Sequence, residues 1–93
     1  MIEYTVELFG LSSETTALRE VQVELKNGAS LTDLVAALRR KIPALEGGVI
    51  RTGEDRLSDY YAFNINGRFY VDEGEPELHN GDHIMLLALS LGG

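Results

Sequence analysis

With 93 residues, the chain has room for one compact domain, and a domain of this size holds a modest core but no deep catalytic pocket. Fifteen acidic residues against eight basic ones give a formal charge of −7, which repels phosphate backbones and anionic lipid headgroups and argues against nucleic acid and membrane as partners. The absence of cysteine excludes disulfides, thiolate metal sites and a cysteine nucleophile, and suits a reducing compartment.

At the N-terminal end there is neither a basic segment leading into an apolar run nor a stretch of membrane-spanning length, so the expected location is the cytoplasm. Ile2, Tyr4, Val6 and Leu8 alternate with polar residues and predict a half-buried strand. Gly10 to Thr16 is rich in Gly, Ser and Thr and predicts a turn, after which Val21, Val23 and Leu25 alternate again as a second strand ending at Asn27-Gly28.

Ser30 has the character of a helix N-cap with Asp33 three residues on. Leu31, Leu34, Val35, Leu38 and Ile42 then recur at helical spacing until Pro43 stops the pattern, predicting a helix of about three turns. From Ala44 to Asp59 no period is sustained, which predicts a long connection with at most a short helical piece. Tyr60–Ile65 and Phe69–Val71 flank Asn66-Gly67-Arg68, and the Asn-Gly pair supplies the positive φ values of a tight hairpin. Asp72–Asp82 is acidic and turn-rich, with a turn at Gly81. Ile84–Leu89 is almost wholly apolar and predicts a central strand covered on both faces.

This order predicts an α+β, β-grasp (ubiquitin-like) fold: one main helix on one face of a mixed four- or five-stranded sheet, with the last strand beside the first. The domain spans residues 1–88, followed by a flexible tail over 89–93.

His79 and His83 are four apart, but Asn80-Gly81-Asp82 between them forbids a shared helical face, so they are surface histidines rather than metal ligands. Glu73, Glu75 and Glu77 lack the spaced pattern of a calcium loop, and Ser12, Ser13, Thr15 and Thr16 have no elbow or His-Asp pair to activate a hydroxyl. Gly47-Gly48 opens no phosphate-cradling helix. What remains is Leu89-Ser90-Leu91-Gly92-Gly93. Without a Cβ, a Gly-Gly segment can enter a narrow channel in extended form and present its carboxylate to a nucleotide bound by another protein.

Several segments occur in the order of a known family. They are Val6–Gly10, Asn27–Leu34, Phe63–Gly67, Leu78–Ile84 and the terminal Gly92-Gly93. In these the chain resembles the MoaD/ThiS family of ubiquitin-like sulfur carriers, which includes the small subunit of molybdopterin synthase. The resemblance implies a carrier, not an enzyme, with no cofactor of its own. An adenylating, ubiquitin-activating-like enzyme would use MgATP on the Gly93 carboxylate, with Gly92 beside it, and a sulfur donor would convert the adenylate to a thiocarboxylate. In the molybdopterin branch a synthase large subunit would receive the loaded tail, and the sulfur would go to molybdenum cofactor biosynthesis. By the same resemblance, partners dock on the exposed sheet face through Phe9, Phe69 and Leu87, with Leu89 and Leu91 leading into the tail.

The tail carries no proline or aromatic residue, and the Ser12-Ser13-Glu14 turn lacks the Arg-Glu-Leu run common in molybdopterin subunits. Two other uses therefore stay open: a protein modifier joined through Gly93 to target lysines, and a β-grasp binding module with an idle tail.

Overall fold

The computed structural model describes residues 1–11, 15–70 and 76–89. Five strands and one helix follow in the order β1 (Ile2–Phe9), β2 (Glu20–Leu25), α1 (Leu31–Lys41), β3 (Tyr61–Ile65), β4 (Arg68–Tyr70) and β5 (Ile84–Ala88). In the sheet the strands lie in the order β2-β1-β5-β3-β4. β1 and β5 are parallel neighbours, and the other three pairings are antiparallel. This mixed sheet with one helix is the β-grasp arrangement.

Local chemistry accounts for the helix and the second hairpin. The Ser30 Oγ accepts from the Asp33 backbone N–H at 3.2 Å and an Asp33 carboxylate oxygen accepts from the Ser30 N–H at 3.1 Å, so two donors that the first turn leaves open are both satisfied. Those bonds favour the carboxylate form and lower the Asp33 pKa, the Ser30 backbone N–H having the largest effect. At the β3–β4 turn Asn66 has φ 54° and Gly67 φ 94°, the pair of positive values that a two-residue hairpin requires.

The core fills the space between α1 and one face of the sheet. Leu31, Leu34, Val35 and Leu38 from the helix meet Val6, Phe63, Ile84 and Leu86 from the strands. Leu78 joins them, tied to the residue ahead of the α1 N-cap by its N–H donating to the Ala29 carbonyl at 2.8 Å.

The connection after the helix is more ordered than its composition suggests. Pro43–Leu45 forms a 3-10 turn, and Ile50 makes isolated bridges to Glu46 and Leu57. Arg39 clamps the segment, with Nη1 2.6 Å from an Asp55 carboxylate oxygen, Nε 3.6 Å from Glu46, and Nη2 on the Glu54 carbonyl. Arg51 adds a bond to Asp59 at 2.6 Å.

Some strand limits differ from the expectation. Tyr60 precedes β3 in a turn and is exposed, Leu89 follows β5, and Val71 lies outside the described residues. A larger correction concerns β5. It is central, but only one of its faces is covered: Ile84 and Leu86 are buried under the helix, whereas Met85 and Leu87 are half-exposed on the opposite face. The single helix covers only the first of these faces.

Candidate functional site

Strand registry determines what the open face presents. On β1 the residues turned away from the helix are Glu3, Thr5, Glu7 and Phe9, because Tyr4, Val6 and Leu8 point into the core. Phe9 is paired with Leu87 of β5, and Leu87 with Ala62 of β3. One step along, Glu7 is paired with Met85, Met85 with Asn64, and Asn64 with Phe69. The open face therefore carries an apolar band made of Phe9, Leu87, Met85 and Phe69, with Phe9 47% and Phe69 59% exposed, while Ala62 beside Leu87 has no exposed surface.

Of the residues expected to dock partners, Phe9, Phe69 and Leu87 thus share one solvent-facing surface and stand outside the core. Met85 belongs to the same band, and Ala62 is buried beneath it. Their place depends on the β3–β5 and β1–β5 registers, which an apolar run alone does not reveal.

Leu89, the last described residue, donates its N–H to the Tyr60 carbonyl at 2.8 Å, holding the chain beside the start of β3 as it leaves the sheet. On the other side is Gly10, whose φ is +75° and whose absent Cβ would stand 3.1 Å from the Ala88 Cβ. Leu91, Gly92 and Gly93 lie outside the described residues, as do Ser12, Ser13, Glu73 and Glu75. The apolar pair Phe9–Leu87 stands at the root of the segment that leads to them.

The hydroxyl and histidine side chains have structural surroundings. Thr16 Oγ1 accepts from the Leu18 N–H at 3.1 Å inside its turn. His79 and His83 are both exposed, and His83 Nε2 is 3.2 Å from a Glu7 carboxylate oxygen. Asp82 accepts from the His79 N–H at 2.7 Å, and Asn66 brackets the His83 backbone with bonds of 2.9 Å in each direction. Among the described residues no group of three His, Asp or Glu side chains is placed to hold a metal ion. No described helix is long and apolar enough to cross a membrane.

The ThiS family model matches residues 6–93, nearly the whole chain. The chain belongs to the ThiS family. Members of this family are small ubiquitin-like carrier proteins rather than enzymes themselves. Among solved structures, this ThiS-family protein is similar to small archaeal modifier protein 1 of Haloferax volcanii. The match covers 97% of this chain and 100% of that one, at 27% identity and a TM-score of 0.79. The protein of the same name from Methanosarcina acetivorans covers 100% and is covered to 98%, at 26% identity and a TM-score of 0.75. A Pyrococcus furiosus protein assigned as subunit 1 of molybdopterin converting factor is similar over 97% of this chain and 100% of its own. Its TM-score is 0.67, and at 21% identity it shows a shared fold. A comparison with curated protein sequences returns no match.

Proposed function

We propose that this protein is a cytoplasmic sulfur carrier that works through the carboxylate of Gly93. An adenylating enzyme joins that carboxylate to AMP from MgATP with release of pyrophosphate. The product is a mixed anhydride whose carbonyl carbon a sulfur nucleophile attacks. With hydrosulfide as donor, the C–S bond forms, the C–O bond to the phosphate breaks, and AMP leaves with the electron pair. The thiocarboxylate then gives its sulfur to a cofactor precursor, molybdopterin in the first instance, with the Gly92-Gly93 tail inserted into a catalytic large subunit. The carrier itself supplies the fold, the apolar docking band and the tail.

The observation that supports this reading most is the continuity of the family match through residue 93, taken with the tail's root beside the Phe9–Leu87 pair. Incubation with an activating enzyme, MgATP and a sulfur donor is expected to add about 16 Da as sulfur replaces oxygen at the activated carboxyl. Removal of Gly93 is expected to abolish that gain while leaving the fold intact. An unchanged mass with every cellular extract refutes the reading.

A second use of the same carboxylate is favoured by the likeness to small archaeal modifier protein 1 from two organisms. There the lysine amine of a target protein takes the place of the sulfur nucleophile. Conjugates of higher mass on a denaturing gel, dependent on Gly93, distinguish it.

A further inference from the structure

β2 is an edge strand, with β1 on one side and no described strand on the other. The Leu8 N–H donates to the Arg19 carbonyl at 2.8 Å, one step beyond the Glu7–Glu20 pair. In an antiparallel ladder, residues that exchange such bonds alternate with residues that do not. Val21 and Val23 therefore turn their N–H and C=O groups to β1, while Gln22 and Glu24 turn theirs to the open edge. The strand has six residues and no proline, so its edge is a template for a further strand. Beside it, between β2 and α1, lies a groove of about 280 Å³ lined by Val23, Glu24, Ala37, Arg40 and Lys41.

Charge is sorted across this edge. Glu20, Gln22 and Glu24 turn their side chains to the open sheet face, because Val23 and Leu25 point into the core. Arg40 and Lys41 stand on the helix side, exposed, and neither makes an ion pair with Glu24 or any other described residue. Cations in the last turn of a helix offset its dipole. That accounts for their presence in α1, but not for a groove that sets them beside unpaired backbone groups, in a chain whose net charge is −7. A second copy fits this edge badly. Antiparallel pairing of β2 with β2 about Gln22 sets Glu20 of each copy against Glu24 of the other, where like charges are destabilising.

We propose that the β2 edge takes up an extended segment of another protein as an added strand, with acidic side chains at alternate positions directed to Arg40 and Lys41. Val23 and Ala37 are almost fully buried, so the groove offers little apolar area. Main-chain bonds to Gln22 and Glu24 supply the affinity, and the two cations supply the selectivity for acids. The intervening positions of the segment lie on the open-face side beside Glu20, Gln22 and Glu24, where hydroxyl or basic side chains fit and acids do not. A strand held here leaves Phe9 and Leu87 uncovered, and its binding does not depend on the carboxylate of Gly93.

The test uses the full chain and fluorescein-labelled synthetic peptides of about eight residues, long enough to pair along β2. One peptide alternates Glu with Thr and a second alternates Lys with Thr. Two more repeat the Glu–Thr peptide with N-methyl groups on every Glu amide or on every Thr amide, since only one of these two sets can face β2. Fluorescence anisotropy at low salt is expected to show saturable binding of the Glu–Thr peptide, binding of the Lys–Thr peptide at least tenfold weaker, and loss of binding for one methylated peptide but not the other. Arg40→Gln/Lys41→Gln, folded by circular dichroism, is expected to weaken the Glu–Thr peptide about tenfold, a difference that shrinks severalfold in about 0.5 M NaCl. A chain lacking Gly93 is expected to bind like the wild type. Hydrogen exchange measured by NMR is expected to slow at the Gln22 and Glu24 amides. No binding at about 1 mM peptide, equal binding of the Glu and Lys peptides, equal effects of the two methylations, or protection confined to another strand each overturn the proposal. A chain that dimerises without peptide, with the same two amides protected, gives the edge to a second copy and overturns it as well.

Discussion

The Tyr4 hydroxyl supplies the sharpest test of the energetics. Tyr4 is 2% exposed at the centre of β1, and its oxygen is buried with no hydrogen-bond partner among the described residues. A buried hydroxyl without a partner forfeits the bonds that it makes with water in the unfolded chain, at a cost of about 1–3 kcal/mol. Tyr4→Phe keeps the ring and its packing and removes only that oxygen, leaving too small a gap to offset the gain. The variant is expected to be more stable by about 1 kcal/mol, a rise in Tm of about 4–8 °C for a domain of this length.

The sign of the pH dependence follows from the same burial. Burial, and secondarily the Asp82 charge, raise the Tyr4 pKa above 10.0. Below about pH 10 the phenol is neutral in both states and contributes no pH dependence. As pH rises from there toward the folded pKa, the unfolded chain loses the proton and the folded one keeps it, so wild-type stability falls. Urea denaturation followed by circular dichroism should therefore show the advantage of Tyr4→Phe widening between pH 9 and pH 11, with an unchanged slope. A variant less stable than the wild type at pH 7 refutes the argument, because the hydroxyl would then have a partner.

Two further substitutions probe the local devices of the fold. Asp33→Ala breaks the reciprocal bonds at the start of α1 and is expected to cost about 1 kcal/mol at pH 7. Because the Asp33 pKa is lowered in the folded state, its contribution is present above the unfolded value near 4 and fades as pH falls toward the folded one, so the two proteins converge in stability in acid. Gly10→Ala puts a side chain at φ +75° with its Cβ 3.1 Å from the Ala88 Cβ. It is expected to cost about 1–2 kcal/mol by chemical denaturation and to disturb amide shifts at Ala88 and Leu89.

What the sequence reveals is set by how local its causes are. Ser30 and Asp33 act across three residues and Asn66-Gly67 across one turn, so the helix start and the second hairpin are readable directly. The segment 44–59 is different, because its order comes from Arg39 on the helix reaching Glu46 and Asp55, contacts that no period in the sequence announces. The facing of Glu3 by Glu24 is hidden for the same reason: they are ordinary surface acids until the β1–β2 register makes them opposite neighbours. The apolar run of β5 correctly indicated a central strand and wrongly implied cover on both faces. Hydrophobicity reports that a face is to be covered, and here the single helix covers one.

Leu86 and Leu87 are the adjacent pair on which that distinction can be measured. They are chemically identical, and the pleat sends Leu86 into the core with no exposed surface while Leu87 faces outward between Phe9 and Ala62. Leu86→Ala removes buried methyl groups and leaves a void beneath the helix, which is expected to cost about 2–5 kcal/mol. Leu87→Ala removes side-chain atoms that are already half in water, so its cost is expected to stay below about 1 kcal/mol. Binding should rank them in the opposite sense once the folded fraction is taken into account. Leu87→Ala is expected to weaken association with the activating enzyme about tenfold or more, as loss of an anchor at the centre of an interface does. Leu86→Ala, where folded, is expected to bind like the wild type. Urea denaturation and binding measured on the same preparations decide the matter. Equal stability losses would mean that β5 is covered on both faces after all, and undiminished binding by Leu87→Ala would remove the apolar band from the docking surface.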